Sequence, residues 1–275
     1  MRPRAAIFLV FAVCATWGVL LAQKPFHDYT GEVEGEYAAG VVPIPPDYDR
    51  PAEWTRARLK YTKVGILHPE PHNTGRWGWA TDYPLGDRHF MQGITRLTMV
   101  DAKSVEQVVE LDGTDDIYNF PFLYAVEVGH WHLFQDEADQ LREYLARGGF
   151  LMTDDFHGTI EWENFMKSLQ KVFPTKPPVD MDNREEIFHV LYDLDSKVQI
   201  PGAQFLRSGV PYEFDGFTPK WRAIYDDKGR VVMGICHNMD ISDAIENSDD
   251  PQYPEKWASM AYRISANYVI YDLTH

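Results

Sequence analysis

The sequence contains very little cysteine. Among its 275 residues, Cys14 and Cys236 are the two cysteines, and Cys14 lies in an N-terminal apolar run that signal cleavage would remove. A chain left with one cysteine forms no intramolecular disulfide, so burial of apolar surface must stabilise its core. Cys236 ends the apolar run 231–236, which predicts a buried packing thiol and not a nucleophile.

Basic residues are also scarce. The chain has 26 Lys and Arg against 42 Asp and Glu, for a net charge of −16 at pH 7. Nucleic acids and anionic membrane surfaces bind proteins through Lys and Arg, so we expect no nucleic-acid partner. The acidic balance favours solubility and leaves metals or cationic partners open.

Familiar catalytic motifs are missing as well. The sequence has no Gly-rich phosphate loop, no Gly-x-Ser-x-Gly elbow and no His-Glu-x-x-His pair. It therefore lacks the signatures of P-loop nucleotide binding, of elbow-type serine hydrolases and of one large class of zinc proteases.

The N-terminus has the layout of an export signal. Arg2 and Arg4 precede an apolar run over residues 5–22, which is typical of a signal peptide cleaved after Ala22. An uncleaved membrane anchor is the alternative, because the run is just long enough to span a bilayer. In both cases the positive charges before the apolar run place the rest of the chain in the periplasm or outside the cell. An uncleaved run would anchor it in the inner membrane.

The remaining chain divides into two parts. Residues 23–52 are rich in Pro, Gly and acidic residues and predict a stiff, extended tether. Residues 53–275 show no further break in composition and predict one α/β domain. No second apolar run long enough to cross a membrane follows.

Hydrophobic patterns within residues 53–275 predict a parallel sheet with helices on both faces. Apolar or alternating runs predict strands at residues 56–61, 122–128, 150–153, 221–225 and 231–236. Helical patterns and end signals predict helices at residues 82–97, 135–147, 161–172 and 255–271. Ligands of such sheets bind beyond the carboxyl ends of the strands.

Acidic residues and histidines follow three of these predicted strands. The candidate catalytic acids are Asp154 and Asp155, together with Asp82 at the start of the first predicted helix. Capping the helix that follows is the alternative role for one of the two neighbouring acids. The candidate metal ligands are His130, His132, His157 and Asp240. Together these groups could bind a divalent metal, or hold a carboxyl with a raised pKa for acid–base catalysis.

Other residues are candidates for binding a polar ligand. Trp77 and Trp79 lie in a long loop before Asp82, where their rings could stack on a sugar or pin the loop onto the domain. Asn238 follows the predicted strand 231–236 and is the third candidate.

Several segments resemble a known bacterial family, domain-of-unknown-function family 4159. They are Asp82-Tyr83-Pro84, Phe120-Pro121-Phe122-Leu123-Tyr124, the glycine-to-aspartate segment 141–156 and Asn267-Tyr268-Val269-Ile270-Tyr271. Phe188-His189 and Asn238-x-Asp240 also match, and the resemblance extends from about Trp54 to His275.

That family is similar in fold to class I glutamine amidotransferases. The resemblance implies a flavodoxin-like three-layer sandwich with a mostly parallel sheet. An amidotransferase would carry its nucleophilic Cys after the strand at residues 150–153, where this sequence has Asp154 and Asp155. Glutaminase activity is therefore not expected.

Two functions remain open from the sequence. The favoured one is a non-catalytic binding or scaffolding protein of the cell envelope, whose partner is a small polar ligand or another envelope protein. The alternative is a metal-assisted hydrolase that acts on a sugar or another polar small molecule. The hydrolase requires the strand-end acids and histidines to converge, whereas the binding protein does not.

Overall fold

A seven-stranded, mostly parallel sheet and six α-helices form the fold of the computed structural model, which describes residues 24–30, 42–65 and 78–275. The strands of this sheet are β1 Ala57–Lys60, β3 Gln107–Glu110, β4 Phe122–Val126, β6 Phe150–Asp154, β7 Val179–Asp180, β8 Lys220–Tyr225 and β9 Val231–His237. The helices are α1 Leu85–Leu97, α2 Gln135–Ala146, α3 Gly158–Val172, α4 Gln204–Ser208, α5 Ile241–Glu246 and α6 Glu255–Thr274.

The strand order across the sheet is β3-β1-β4-β6-β9-β8-β7. The first five strands of this order run parallel, and β8 and β7 extend the sheet as antiparallel strands beyond β9. A separate antiparallel pair joins β2 Thr62–Lys63 to β5 Trp131–His132. All the parallel strands therefore end at one edge, which we call the carboxyl edge.

Side chains of the central strands fill two cores, one on each face of the sheet. Successive strand residues point to opposite faces, so Phe122, Tyr124 and Val126 of β4 enter one hydrophobic cluster. Leu123 and Ala125 enter the other. Helices α1, α5 and α6 contact one another over the first core, and α2 contacts α3 over the second. Across the described residues, no helix combines the length and apolar character that a membrane span requires.

The structure confirms the strands and helices expected from the apolar patterns. Each expected strand and helix is present within a few residues of its predicted bounds, and the last two expected strands, β8 and β9, pair antiparallel. Short strands β2, β3, β5 and β7 and short helices α4 and α5 were not predicted. The predicted signal segment, residues 1–22, lies outside the described residues.

The described parts of the predicted tether contact the domain. The Lys24 ammonium lies 2.7 Å from Asp112 Oδ2, and the Tyr29 amide donates to the Tyr83 hydroxyl at 3.1 Å. Arg88 of α1 donates to the carbonyls of residues 42 and 43 and lies 3.5 Å from Asp28 Oδ2. Residues 24–30 and 42–50 therefore pack as part of the folded structure.

A buried carboxyl near the end of α6 predicts a pH-dependent stability. Burial raises the pKa of Asp272 to about 7, and no group in the described part of the chain hydrogen-bonds to its Oδ2. The unfolded chain ionises near pH 4, so the folded state binds the extra proton and loses stability as the pH rises from about 4 to 7.

Replacing Asp272 by Asn should remove that loss. We expect a melting temperature equal to wild type near pH 4 and higher by several degrees at pH 8, on the order of 1–2 kcal/mol. Thermal melts of both proteins at pH 4, 6 and 8 measure the gap. A gap that stays constant with pH would contradict the assignment.

Candidate functional site

The backbone turns sharply at the carboxyl edge, directly after three neighbouring strands. Glu127 after β4, Asp155 after β6 and Asn238 after β9 have left-handed φ angles of 53°, 56° and 62°. Non-glycine residues adopt this region uncommonly, although Asn and Asp do so more readily than others. Asp82, before α1, has the same conformation with φ 60°. Such outliers cluster at functional sites, so this edge is the candidate site.

Asp155, His157 and Asp240 converge at this edge, and we call them the central group. One potential ligand atom from each lies within 4.8 Å of the other two. The His157 Nε2 atom is 3.2 Å from Asp155 Oδ1, while its buried Nδ1 atom has no hydrogen-bond partner among the described residues. The three residues are only 3–6% exposed.

The electrostatics of the central group are unfavourable for free carboxylates. Burial raises the pKa values of Asp155 and Asp240 well above their usual range, and neighbouring carboxylates raise both further, with Asp82 the largest for Asp155 and Asp155 the largest for Asp240. Like charges in a poorly hydrated site cannot all ionise without a compensating cation.

Asp154 caps a helix, but not the one that follows it in sequence. Its Oδ2 accepts from the amides of Ile241 and Ser242, at 2.8 and 2.9 Å, at the start of α5. The expectation that one acid of the pair caps the following helix was therefore wrong for Asp154. Burial raises the pKa of Asp154 to about 7, against the effect of these amide hydrogen bonds.

The following helix, α3, is capped from other parts of the chain. Asn238 Oδ1 accepts from the Gly158 amide and Asp215 Oδ1 from the Thr159 amide, each at 2.8 Å. The Asn238 side chain also donates to the Thr218 carbonyl at 2.8 Å. Asn238 thus joins three segments at the edge of the site.

A second group lies beside the central one and contains Glu127, His130 and Glu161, which we call the flanking group. Its potential ligand atoms also lie within 4.8 Å of one another. The His130 Nε2 atom is 3.2 Å from Glu161 Oε1 and 3.9 Å from Glu127 Oε2. Glu161 comes from the first turn of α3, and its Oε2 accepts from the His157 amide.

Asp82 belongs to a third group, with Asp243 and Glu246. Asp82 and Asp243 of this group already accept hydrogen bonds from neighbouring residues. The Ser242 hydroxyl donates to Asp82 Oδ2, and the amides of Ala203 and the Asn247 side chain donate to Asp243. These contacts tie α5 to the loops around it, so a structural role accounts for the group.

Two buried arginines hold the loop that precedes Asp82. Arg58 of β1 contacts Asp87 Oδ2 at 2.7 Å and donates to the carbonyls of Trp79 and Thr81 at 2.7 and 2.9 Å. Arg56 lies 3.3 Å from the other Asp87 oxygen and stacks on Tyr124. Strand β1 therefore fixes the backbone that precedes Asp82 through buried arginine side chains.

The other candidate residues lie in separate places. His132 lies on β5 against the Phe134 ring, and it joins none of the ligand groups found among the described residues. The Trp79 ring packs on Tyr83 and Tyr29 at 5.9 and 5.6 Å, as expected for a ring that pins the loop. Trp77 lies outside the described residues.

Cys236 and His237, at the end of β9, are not poised for nucleophilic chemistry. Burial raises the pKa of the Cys236 thiol well above its usual range. Burial lowers the pKa of His237 to about 3, so the imidazole is neutral, with Nε2 donating to the Gly158 carbonyl at 3.1 Å.

Glu127 and Glu161 were not among the site residues predicted from the sequence. Glu127 lay inside the predicted strand 122–128. Glu161 began a predicted helix, where the helix dipole stabilises an acidic side chain and so explains its presence without a role in a site. A lone acid in an otherwise apolar strand, just before Gly129-His130, is the signal that could have indicated Glu127.

The fold and the site define the class of protein: a mixed α/β protein with a buried, carboxylate- and imidazole-rich centre at the carboxyl edge of its sheet. Within this class the family model of a domain of unknown function, DUF4159, matches residues 57–273. The chain belongs to this family, as the sequence resemblance indicated. No curated protein matches the sequence at a significant level.

Proposed function

We propose that the protein is a divalent-metal-dependent hydrolase whose central group, Asp155, His157 and Asp240, binds the metal. The observation that carries the proposal is the convergence of these three groups together with the buried, unpartnered His157 Nδ1. Buried imidazole nitrogens normally have a hydrogen-bond or metal partner. Carboxylate and imidazole ligands suit Mn²⁺ and Zn²⁺.

The chemistry follows from what a bound cation does to water. A coordinated water can lose its proton near pH 7 and attack as hydroxide. A metal held by Asp155, His157 and Asp240 would supply such a hydroxide, and the proton taken from the water would pass to the leaving group as the scissile bond breaks. A buried site excludes bulk water and strengthens the electrostatic contribution.

A loop beside the central group favours a sugar or similar polar molecule as substrate. The loop contacts the site through Asp215, which caps α3, and Gly216, where an added Cβ would lie 2.6 Å from Asn238 Oδ1. It also carries Tyr212 and the largely exposed Phe217, whose rings pack edge to face 4.8 Å apart. Exposed aromatic faces next to polar groups suit ligands that are part apolar and part polar.

The proposal predicts metal-dependent hydrolysis by the purified protein. With Mn²⁺ or Zn²⁺, we expect cleavage in a panel of p-nitrophenyl glycosides, p-nitrophenyl acetate and bis(p-nitrophenyl) phosphate, and EDTA should stop it. Asp155→Asn should lower the rate at least about 100-fold, because it removes a charged ligand. His132→Gln, a histidine outside the ligand groups, is the matched control and should keep the activity.

Two outcomes would count against the hydrolase. A protein that binds neither cation overturns the metal site. A protein that binds a cation but hydrolyses nothing in the panel supports a binding protein without catalysis. The burial of the central group favours that second candidate, since residues only 3–6% exposed leave little access for a substrate.

We also propose that the fold is the flavodoxin-like sandwich of class I glutamine amidotransferases. Counted along the chain, the five parallel strands have the order 2-1-3-4-5, which is the flavodoxin-like order. In that comparison Asp155 occupies the turn where the nucleophilic Cys would lie, and Cys236 is buried on another strand. Glutaminase activity is therefore not part of the proposal.

Export to the periplasm or beyond remains a proposal that rests on residues 1–22 alone. Mass spectrometry of the protein recovered from a bacterial periplasm tests it. A mature N-terminus at Gln23 supports a cleaved signal, whereas an intact N-terminus in the membrane fraction supports an anchor.

A further inference from the structure

We infer that the flanking group, Glu127, His130 and Glu161, is a second divalent-cation site, so that the centre binds two metal ions. The inference rests on the proposed function and deepens it. The potential ligands of the flanking group are two carboxylates and one imidazole, the same types as in the central group. An oxygen-rich set of this kind suits Mn²⁺.

The Glu127 carboxylate points to a missing ligand. Its side chain is 8% exposed, and no residue in the described ranges donates a hydrogen bond to it. The His130 Nε2 atom lies 3.9 Å from its Oε2. A buried carboxylate without hydrogen bonds is costly. A cation between Glu127, His130 and Glu161 would remove that cost.

The neighbouring strands bring the two groups side by side. Val126 of β4 pairs with Asp154 of β6, and the Glu127 amide donates to the Asp154 carbonyl at 3.1 Å. Glu127 and Asp155 therefore occupy equivalent positions on adjacent strands, which lie about 4.8 Å apart. Their side chains therefore leave the same edge of the sheet on neighbouring strands.

Glu161 connects the two groups physically. One of its oxygens faces His130, and the other accepts from the backbone amide of His157, a member of the central group. Space at this point is tightly restricted, because a Cβ on Gly129 would lie 2.5 Å from Glu161 Cβ. The carboxylate is thus held in one place between both groups.

A second cation would extend the chemistry of the first. One ion can activate the water while the other stabilises the negative charge on the leaving oxygen. Substrates with an oxygen leaving group, such as esters and glycosides, fit this arrangement better than amides.

Manganese binding to the purified protein tests the inference. We expect isothermal titration and elemental analysis to give two Mn²⁺ per chain, and electron paramagnetic resonance to show a spin-coupled pair. Glu127→Gln should bind one Mn²⁺, with the uncoupled six-line spectrum. Glu163→Gln, an exposed residue of the same helix as Glu161, is the control and should keep two.

The outcomes separate this inference from the proposed function. One Mn²⁺ in the wild type, lost in Asp155→Asn but kept in Glu127→Gln, overturns the second site and leaves the first intact. No Mn²⁺ in the wild type overturns both. If Glu127→Gln does not fold, Glu161→Gln replaces it, and two Mn²⁺ bound by that variant overturn the second site.

Discussion

Replacing Asp240 by Asn is expected to make the metal-free protein more stable and to remove most of the stability that Mn²⁺ adds. In EDTA the variant should melt a few degrees above wild type, a gain of about 1–2 kcal/mol. In saturating Mn²⁺, about 100 times the dissociation constant, wild type should gain about 2.7 kcal/mol and the variant should gain little.

The gain arises because Asp240 lies among other carboxylates. Its acidic neighbours are Asp155, Asp243, Asp82 and Asp154, so removing one charge relieves repulsion. Asn keeps the other role of this position: the Asp240 side chain accepts from the Asp243 amide at the start of α5, and Asn caps helices as well as Asp does.

Thermal melts in EDTA and in a Mn²⁺ series measure both effects. Asp272→Asn is the matched control, because it also removes a buried carboxyl but lies outside the three groups. It should raise the melting temperature at neutral pH and keep the full Mn²⁺ response. A less stable Asp240→Asn protein in EDTA, or one that still responds to Mn²⁺, would contradict the metal assignment.

The same exchange at Asp87 is expected to have the opposite effect. Asp87→Asn should destabilise the protein by about 3–5 kcal/mol, because it leaves buried positive charges without their partner. For a domain of this size the loss is roughly 10 °C or more in melting temperature.

The difference lies in the neighbours of the carboxylate. Asp87 is fully buried between the guanidinium groups of Arg58 and Arg56, at 2.7 and 3.3 Å. Burial already lowers the pKa of Arg56, and the charge of Asp87 opposes that effect. Arg58 also anchors the carbonyls before Asp82, so the variant should loosen that loop.

Urea denaturation and limited proteolysis measure the two consequences of Asp87→Asn. The control is Asp101→Asn, whose carboxylate contacts the partly exposed Arg50 at 2.8 Å and is itself half exposed. Exposed pairs contribute little, so this variant should unfold at nearly the same urea concentration as wild type. Equal losses for the two variants would show that the buried cluster is not a stabilising unit.

Local pattern predicted much of the fold. A few neighbouring residues are enough to recognise the apolar runs of β4 and β6 and the Gly148-Gly149 pair that ends α2. Strand β3 has four residues and helix α5 has six, so neither is long enough to show the periodic spacing of apolar residues that identifies a strand or a helix. Their conformations depend on tertiary contacts, such as the Asp154 carboxylate at the start of α5.

The site was predictable only in part for a related reason. The strand-end rule placed Asp155, His157 and Asp240 at one edge, because parallel strands end together. It did not separate His130, which meets Glu161 from α3, from His132, which points toward Phe134. Pairings between a strand end and a distant helix turn depend on how the helix packs, which spacing in sequence does not encode.

The contacts of residues 24–50 bear on where the folding unit should be cut for expression. The family match begins at residue 57, yet Arg88 donates to the carbonyls of residues 42 and 43. The Nε atom of Arg88 also lies 3.8 Å from Oε2 of the buried Glu106. A recombinant fragment trimmed to the matched region would remove those acceptors and the Asp28 carboxylate, and expose a cation and an acid that the longer chain covers. These contacts therefore favour a fragment that starts at Lys24 or earlier, some thirty residues before the boundary that the family match marks.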